Sequence, residues 1–143
     1  MSVIVLDASV AVKWFLPSDQ ESLTTEAFAL AQRYQAGEID FAVPDLFWVE
    51  VTNFFWKATR QGRCTLETAK SAVESFKTKE FPTVKSLDLV ESALDIALAF
   101  QRSVYDSLYI ALAVTLNTYL ATADERLANA VAAKLPVKWL GAL

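Results

Sequence analysis

The chain has 143 residues, 54% of them hydrophobic and 21% charged, with a formal charge of −4. That length and apolar fraction fit one domain over residues 1–143 with a core that needs no disulfide or metal staple, and exclude a disordered chain. There is no histidine and one cysteine, Cys64, so Ser-His-Asp and Cys-His triads, histidine zinc sites and internal disulfides are excluded. In chain order, Val3–Leu6 is a β-branched run that predicts a buried strand. Asp7 to Leu16 predicts a short helix closed by Pro17. Ser22 to Ala36 predicts a helix stopped by Gly37, and Phe41–Val43 a second strand ended by Pro44. Asp45 is placed to cap a helix running to Gln61 and stopped by Gly62. Thr65 caps a further helix to about residue 78. Thr83–Ser86 is a short strand candidate. Asp88 and Glu91 have capping-box spacing ahead of a helix to Gln101. Ser103 to Asn117 is a helix, Tyr119–Thr122 a strand, Asp124 the opening of a helix to about Lys134, and Val137–Leu140 a last strand.

Strands alternating with helices imply parallel pairing, because each crossover needs its helix. The expected fold class is α/β, a three-layer sandwich with a central, mainly parallel sheet flanked by helices. No run approaches the ~20 apolar residues of a membrane span. The short apolar start has no basic region before it and no cleavage-type segment after it, so no signal peptide is expected. A single cysteine fits a reducing cytoplasm. Gly37, Gly62 and Gly141 are too scattered for a phosphate-binding glycine loop. Residues 57–85 hold seven Lys/Arg and three Glu, a local +4, against six basic and fourteen acidic residues elsewhere, −8. That distribution disfavours broad phosphate neutralisation but leaves a focused basic contact, or simply a mixed surface.

With histidine absent, chemistry falls to carboxylates. Ligands in an open α/β sheet bind beyond the carboxyl ends of its strands, and Asp7 and Asp124 follow two of the predicted strands directly. Glu50 lies in the aromatic stretch Phe47–Trp56, on one helical stripe with Asn53, Lys57 and Arg60. Asp106 is the one acid at the start of a helix that carries no charge from Ser107 to Leu116. Each has a plainer role: Asp7 and Asp124 as helix caps, Glu50 on a solvated face, Asp106 in favourable placement at a helix N-terminus. Asp88, Glu91, Asp95 and Arg102 form a solvated stripe without chemistry. Acids gathered in one crevice would repel one another and raise their own pKa values, and a divalent cation removes that cost. All-oxygen ligands select Mg2+ or Mn2+ over zinc, and such sites act on phosphates.

Four blocks carry a resemblance. They are Val5-Leu6-Asp7-Ala8-Ser9-Val10-Ala11-Val12-Lys13-Trp14-Phe15 with Pro17; Pro44 to Asn53 with Glu50 and Asn53, then Gly62; Tyr105-Asp106-Ser107-Leu108-Tyr109-Ile110-Ala111-Leu112-Ala113; and Ala121-Thr122-Ala123-Asp124-Glu125-Arg126-Leu127. In that order and spacing the chain resembles the PIN-domain family, specifically the ribonuclease toxins of VapBC-type toxin–antitoxin pairs. The resemblance implies an acidic pocket of Asp7, Glu50, Asp106 and Asp124 binding Mg2+ or Mn2+. Asp7 and Asp106 would be its main ligands, with Asp124 completing it directly or through water. Glu50 would ligate a metal or orient the attacking water. It implies support from Ser9, Thr122 and Asn53, and hydrolysis of an RNA phosphodiester by in-line attack of metal-bound water. Lys57 and Arg60 are substrate-binding candidates. The family often has Ala where this chain has Ser107, which could add a hydrogen bond near the site.

The resemblance also implies a homodimer and a cognate antitoxin that inhibits it, with part of Phe47, Trp48, Phe54, Phe55 and Trp56 available for such faces. Two rivals stand beside the ribonuclease. One is a non-catalytic binding module of the same fold. The other is a different metal phosphohydrolase, such as an aspartyl-phosphate enzyme, although that chemistry wants an acid where Ser9 stands.

Overall fold

The computed structural model describes residues 2–17, 19 and 21–143. The strands are β1 (Ser2–Leu6), β2 (Ile39–Pro44), β3 (Thr83–Val84), β4 (Leu120–Thr122) and β5 (Val137–Trp139). The α-helices are α1 (Ala8–Ala11), α2 (Thr24–Gln35), α3 (Leu46–Arg60), α4 (Leu66–Phe76), α5 (Val90–Phe100), α6 (Val104–Thr115) and α7 (Glu125–Val131). The sheet order is β3-β2-β1-β4-β5, and every neighbouring pair is parallel. Helices flank the sheet, giving the expected α/β sandwich. No described helix is long and apolar enough to cross a membrane.

The sheet is built from near-continuous apolar runs, as a strand covered on both faces requires. Ile4, Val5, Leu6, Phe41, Ala42, Val43, Leu120 and Ala121 are all buried. An aromatic cluster thickens the core on the β2 side. Tyr34 stacks on Phe41 at 5.4 Å, Phe81 meets both edge-on, and Trp48 stacks against Phe76 and Phe81 at 5.8 Å. Phe47 and Phe55 belong to the core, Trp48 and Phe54 are half-buried, and Trp56 is 55% exposed. Of the aromatic surplus on α3, Trp56 is therefore the side chain left to face outward.

Several element ends differ from expectation for local reasons. The helix expected from Asp7 to Leu16 is α1 followed by a 3-10 turn over Val12–Trp14, in which the chain tightens before Pro17. β2 is longer than Phe41–Val43 and includes Pro44. Asp45 precedes α3, but its side chain does not cap that helix. It accepts from the Ser86 amide at 3.1 Å and from the Ser86 hydroxyl, tying α3 to the turn after β3. The Asp88–Glu91 capping box does not form. Ser86–Leu89 is a 3-10 turn, and Leu89 precedes α5 without a side-chain cap. Thr65, Ser103 and Asp124 do cap, accepting from the amides of Thr68, Asp106 and Leu127 at 3.1 Å each. The uncharged part of α6 is buried from Ser107 to Ala113, but Val114 near its end and Leu116 just past it are exposed.

Candidate metal centre at the sheet's switch point

Parallel register sets the first two groups. Leu6 pairs with Ala121, so Asp7 and Thr122, the next residues of β1 and β4, leave the sheet side by side. The Asp7 amide donates to the Ala121 carbonyl at 3.1 Å. From β1 the chain is wound towards β2 on one side and meets β4 on the other, so this is the point where strand order reverses and where a crevice opens.

The Asp7 carboxylate does not cap α1. Its Oδ2 accepts from Ser9 Oγ and from Thr122 Oγ1, both at 2.7 Å. Each hydroxyl oxygen also accepts a backbone amide, which fixes the direction left for its own proton. Ala123 N donates to Ser9 Oγ at 3.1 Å, and Asp124 N to Thr122 Oγ1 at 3.0 Å. The two hydroxyls therefore point at Asp7 by construction, and Oδ1 accepts no hydrogen bond among the described residues. Asp124 uses Oδ1 to cap α7, so it is both a cap and a neighbour of Asp7.

Glu50, in the first half of α3, is half-buried and its Oε1 accepts from the Tyr109 hydroxyl at 2.5 Å. Asp106, one turn before Tyr109 on α6, is half-buried. The acids are close enough to feel one another. Burial raises the Asp7 pKa, hydrogen bonds from Ser9 and Thr122 lower it, and the charges of Asp106 and Asp124 raise it further. Burial raises Glu50, Tyr109 offsets part of this, and Asp7 and Asp106 add to it. Burial and then Asp124 raise Asp106, while Ser103 and Arg102 pull it down. Burial beside Asp7 and Glu50 holds the Tyr109 hydroxyl far above the ordinary phenol range, so Tyr109 keeps its proton and serves as a hydrogen-bond donor to Glu50.

Such a group of mutually repelling carboxylates with an open oxygen on Asp7 fits a hard divalent cation, and its all-oxygen donors fit Mg2+ or Mn2+. Among the described residues, no three acids are drawn together closely enough to hold a metal ion between them. What relates the acids is the charge coupling of Asp7 with Asp106 and Asp124, and of Glu50 with Asp7 and Asp106.

The other expected residues fall elsewhere. Asn53 is exposed and lines an apolar groove between α3 and α4 with Trp48, Trp56, Val73 and Phe76. Lys57 and Arg60 are exposed at the far end of α3, about 10 and 15 Å along the helix from Glu50 at 1.5 Å per residue. They line a shallow hollow with Trp56 and Gln61, and the Arg60 guanidinium lies 5.1 Å from the Trp56 ring centre. Asp88, Glu91 and Asp95 are solvated as expected, but Arg102 is half-buried and its charge reaches Asp106, so it does not belong to that stripe. Ser107 Oγ is buried without a hydrogen bond among the described residues, so the bond expected of it near the site is not formed.

Two groups were missed. Tyr109 was legible as a polar-tipped aromatic three residues after Asp106, in an otherwise apolar helix. Lys13 was legible as the sole charge between Asp7 and Pro17, one helical turn beyond Ser9. It is 6% exposed and bonds Glu21 Oε1 at 3.1 Å.

The PIN-domain family model matches residues 4–133. The chain belongs to the PIN-domain family. This PIN domain is 27% identical over 128 residues to Ribonuclease VapC3 of Pyrobaculum aerophilum, covering 88% of this chain and 92% of that protein. A crystal structure from Pyrobaculum aerophilum superimposes with a TM-score of 0.68 at 21% identity, covering 98% of this PIN domain and 85% of that chain. A toxin–antitoxin complex from Klebsiella pneumoniae gives 0.59 at 16% identity, covering 94% and 95%. VapBC2 of Rickettsia felis, bound to a promoter DNA fragment, gives 0.64 at 12%, covering 96% and 98%. These structures share the fold of this PIN domain.

Proposed function

We propose that the chain is a Mg2+- or Mn2+-dependent endoribonuclease that hydrolyses RNA phosphodiesters at Asp7, Glu50, Asp106 and Asp124, and that it is the toxin of a type II toxin–antitoxin pair. The observation that carries this reading is the anchoring of Asp7 between β1 and β4. Ser9 and Thr122 hold one carboxylate oxygen, the other accepts no hydrogen bond among the described residues, and the charges of Asp106 and Asp124 act on the group while that of Asp7 acts on Glu50. Membership of the PIN family and the likeness to a ribonuclease support it.

Asp7 and Asp106 would be the main cation ligands. Asp124 would join them through the oxygen not engaged in capping α7. Glu50 would complete the set or accept a proton from the attacking water, in an orientation that Tyr109 fixes. A divalent cation bound there polarises the phosphoryl oxygens and lowers the pKa of water. Asn53, Lys57 and Arg60 are candidates for contact with more distant parts of the RNA. Under the same reading the chain forms a homodimer and is restrained by a cognate antitoxin, consistent with the toxin–antitoxin complexes that share its fold.

The test is cleavage of a mixed set of single-stranded and structured RNAs in Mg2+, Mn2+ and EDTA, by wild type, Asp7→Asn and Asp106→Asn. Cutting that needs the metal and is lost in both variants is expected. Equal cutting by all three proteins would sink the site assignment. No cutting by folded wild type would favour the rival binding module, which the open spacing of the acids also allows.

A further inference from the structure

Lys13 is the one charged side chain in the buried class among the described residues. Burying an ammonium is costly unless it is paired. Its partner is Glu21, whose Oε1 takes Lys13 Nζ at 3.1 Å and whose Oε2 takes Arg63 Nη1 at 3.1 Å. Two cations share one carboxylate, so the group carries one net positive charge. It ties the 3-10 turn after α1 and the segment before α2 to the turn between α3 and α4, since Arg63 follows Gly62 there.

The position of this group matters more than its bonds. Ser9, Lys13, Glu21, Arg63 and Asp124 line a single cleft of about 220 Å3, with Phe54 forming an apolar side. Ser9 is the hydroxyl that holds Asp7, and Lys13 lies four residues further along the same helical face. The cleft therefore joins Asp124 and the hydroxyl that holds Asp7 to a cationic pair. Arg63 also belongs to the basic segment 57–85, and its guanidinium is partly solvent-accessible. A polyanion whose scissile phosphate sat at the acids would have this cleft as its adjoining cationic surface. The Arg63 guanidinium gives Nε to Gln61 Oε1 at 2.9 Å and one Nη1 hydrogen to Glu21, which leaves further N–H groups to take a phosphate.

We propose that Lys13 and Arg63, held by Glu21, form a subsite for the RNA phosphate next to the scissile one. This rests on the ribonuclease reading and adds a substrate-binding element to it. Arg63 contacts the phosphate, Glu21 orients Arg63, and Lys13 supplies buried positive charge that keeps the group cationic.

The test pairs binding with kinetics. Binding of a labelled, uncleavable 2′-O-methyl single-stranded RNA is followed by fluorescence anisotropy over a salt series, and KM and kcat are measured on the cleavable RNA. Arg63→Gln is expected to weaken binding about tenfold and to reduce the slope of log K against log salt by about one contact. It should raise KM while kcat holds. Arg63→Lys should recover most of the loss. Glu21→Gln adds one positive charge to the cleft, so it should steepen the salt slope, whereas a merely structural clamp would lower Tm and leave the slope alone. Arg33→Gln, an exposed cation paired with Glu38 on α2, is the control for general charge. Arg63→Gln matching Arg33→Gln in slope and KM, beside a wild type that binds and cuts, would overturn the subsite alone. A wild type that neither binds nor cuts RNA would overturn the ribonuclease reading with it.

Discussion

Tyr109 donates its phenolic proton to Glu50 Oε1 at 2.5 Å, joining α6 to α3 across the acidic centre. Tyr109 is 2% exposed, so the bond is made in a dry environment where a charged acceptor strengthens it. Without it Glu50 is free to rotate, and its carboxyl loses the interaction that offsets burial. Tyr109→Phe is expected to keep the fold, to lower stability by about 1–3 kcal/mol, and to cut activity about 10–100-fold, as loss of an orienting partner does. Chemical denaturation and RNA cleavage, run together, check it. Unchanged activity would remove Tyr109 from the site.

Ser9 and Thr122 share one task, so their losses should not add. Ser9→Ala or Thr122→Val each leaves Asp7 with one hydroxyl donor in place of two. Each change also leaves a backbone amide, of Ala123 or Asp124, without its acceptor. Each single variant should lose about 1–3 kcal/mol of stability. The double variant should depart from additivity by about 0.5 kcal/mol or more in a double-mutant cycle. Strict additivity would show that the two hydroxyls act independently.

Asp7, Glu50 and Asp106 all have carboxyl pKa values held above the ordinary carboxylate range, by burial first and by neighbouring carboxylates after it, against hydrogen bonds from Ser9, Thr122, Tyr109 and Ser103 that pull them down. Between the ordinary value of about 4 and the raised one, the folded chain binds more protons than the unfolded chain. Stability without metal therefore falls as pH rises through that window and increases as pH drops into it. In EDTA, Tm should climb as pH falls from neutral towards the ordinary carboxylate value, and Asp7→Asn should flatten that climb. Added Mn2+ should raise Tm at neutral pH, by about 2.7 kcal/mol of stability at a hundredfold excess over Kd. A Tm that drops steadily on acidification in EDTA would contradict the raised pKa values.

The fold was legible because its signals are local. β-branched runs such as Val3–Leu6, broken by Asp and Pro and separated by helical lengths, leave few alternatives to a parallel sheet. Asp7 and Asp124 followed from the strand-end rule together with that reading. What the sequence hid was set by distant partners. Asp45 has the sequence signature of a cap, yet its carboxylate is taken by Ser86, forty-one residues away. Arg102 fits a solvated stripe by spacing, but Gln101 ends α5 in a left-handed conformation and turns Arg102 towards Asp106. Tyr109 looks like core, and only the arrival of α3 gives its hydroxyl a function. The stripe Glu50–Asn53–Lys57–Arg60 held as a helical spacing, but helix length carries its basic end away from the acids.

The core offers a control for these site variants. Phe41 lies at the centre of β2 among Trp14, Tyr34 and Phe81. Phe41→Ala should cost about 3–5 kcal/mol with no specific effect on cation affinity, as read by thermal melts with and without Mn2+.

The central claim is that acids from four separate elements serve one cation site. Calorimetric titration of Mn2+ into the metal-free protein tests it most directly, with wild type beside Asp7→Asn, Asp106→Asn and the distant acid variant Asp88→Asn. The account predicts measurable binding by wild type and Asp88→Asn, and affinity lowered by about a hundredfold or more in both Asp7→Asn and Asp106→Asn. Equal Mn2+ affinity in all four proteins would contradict it.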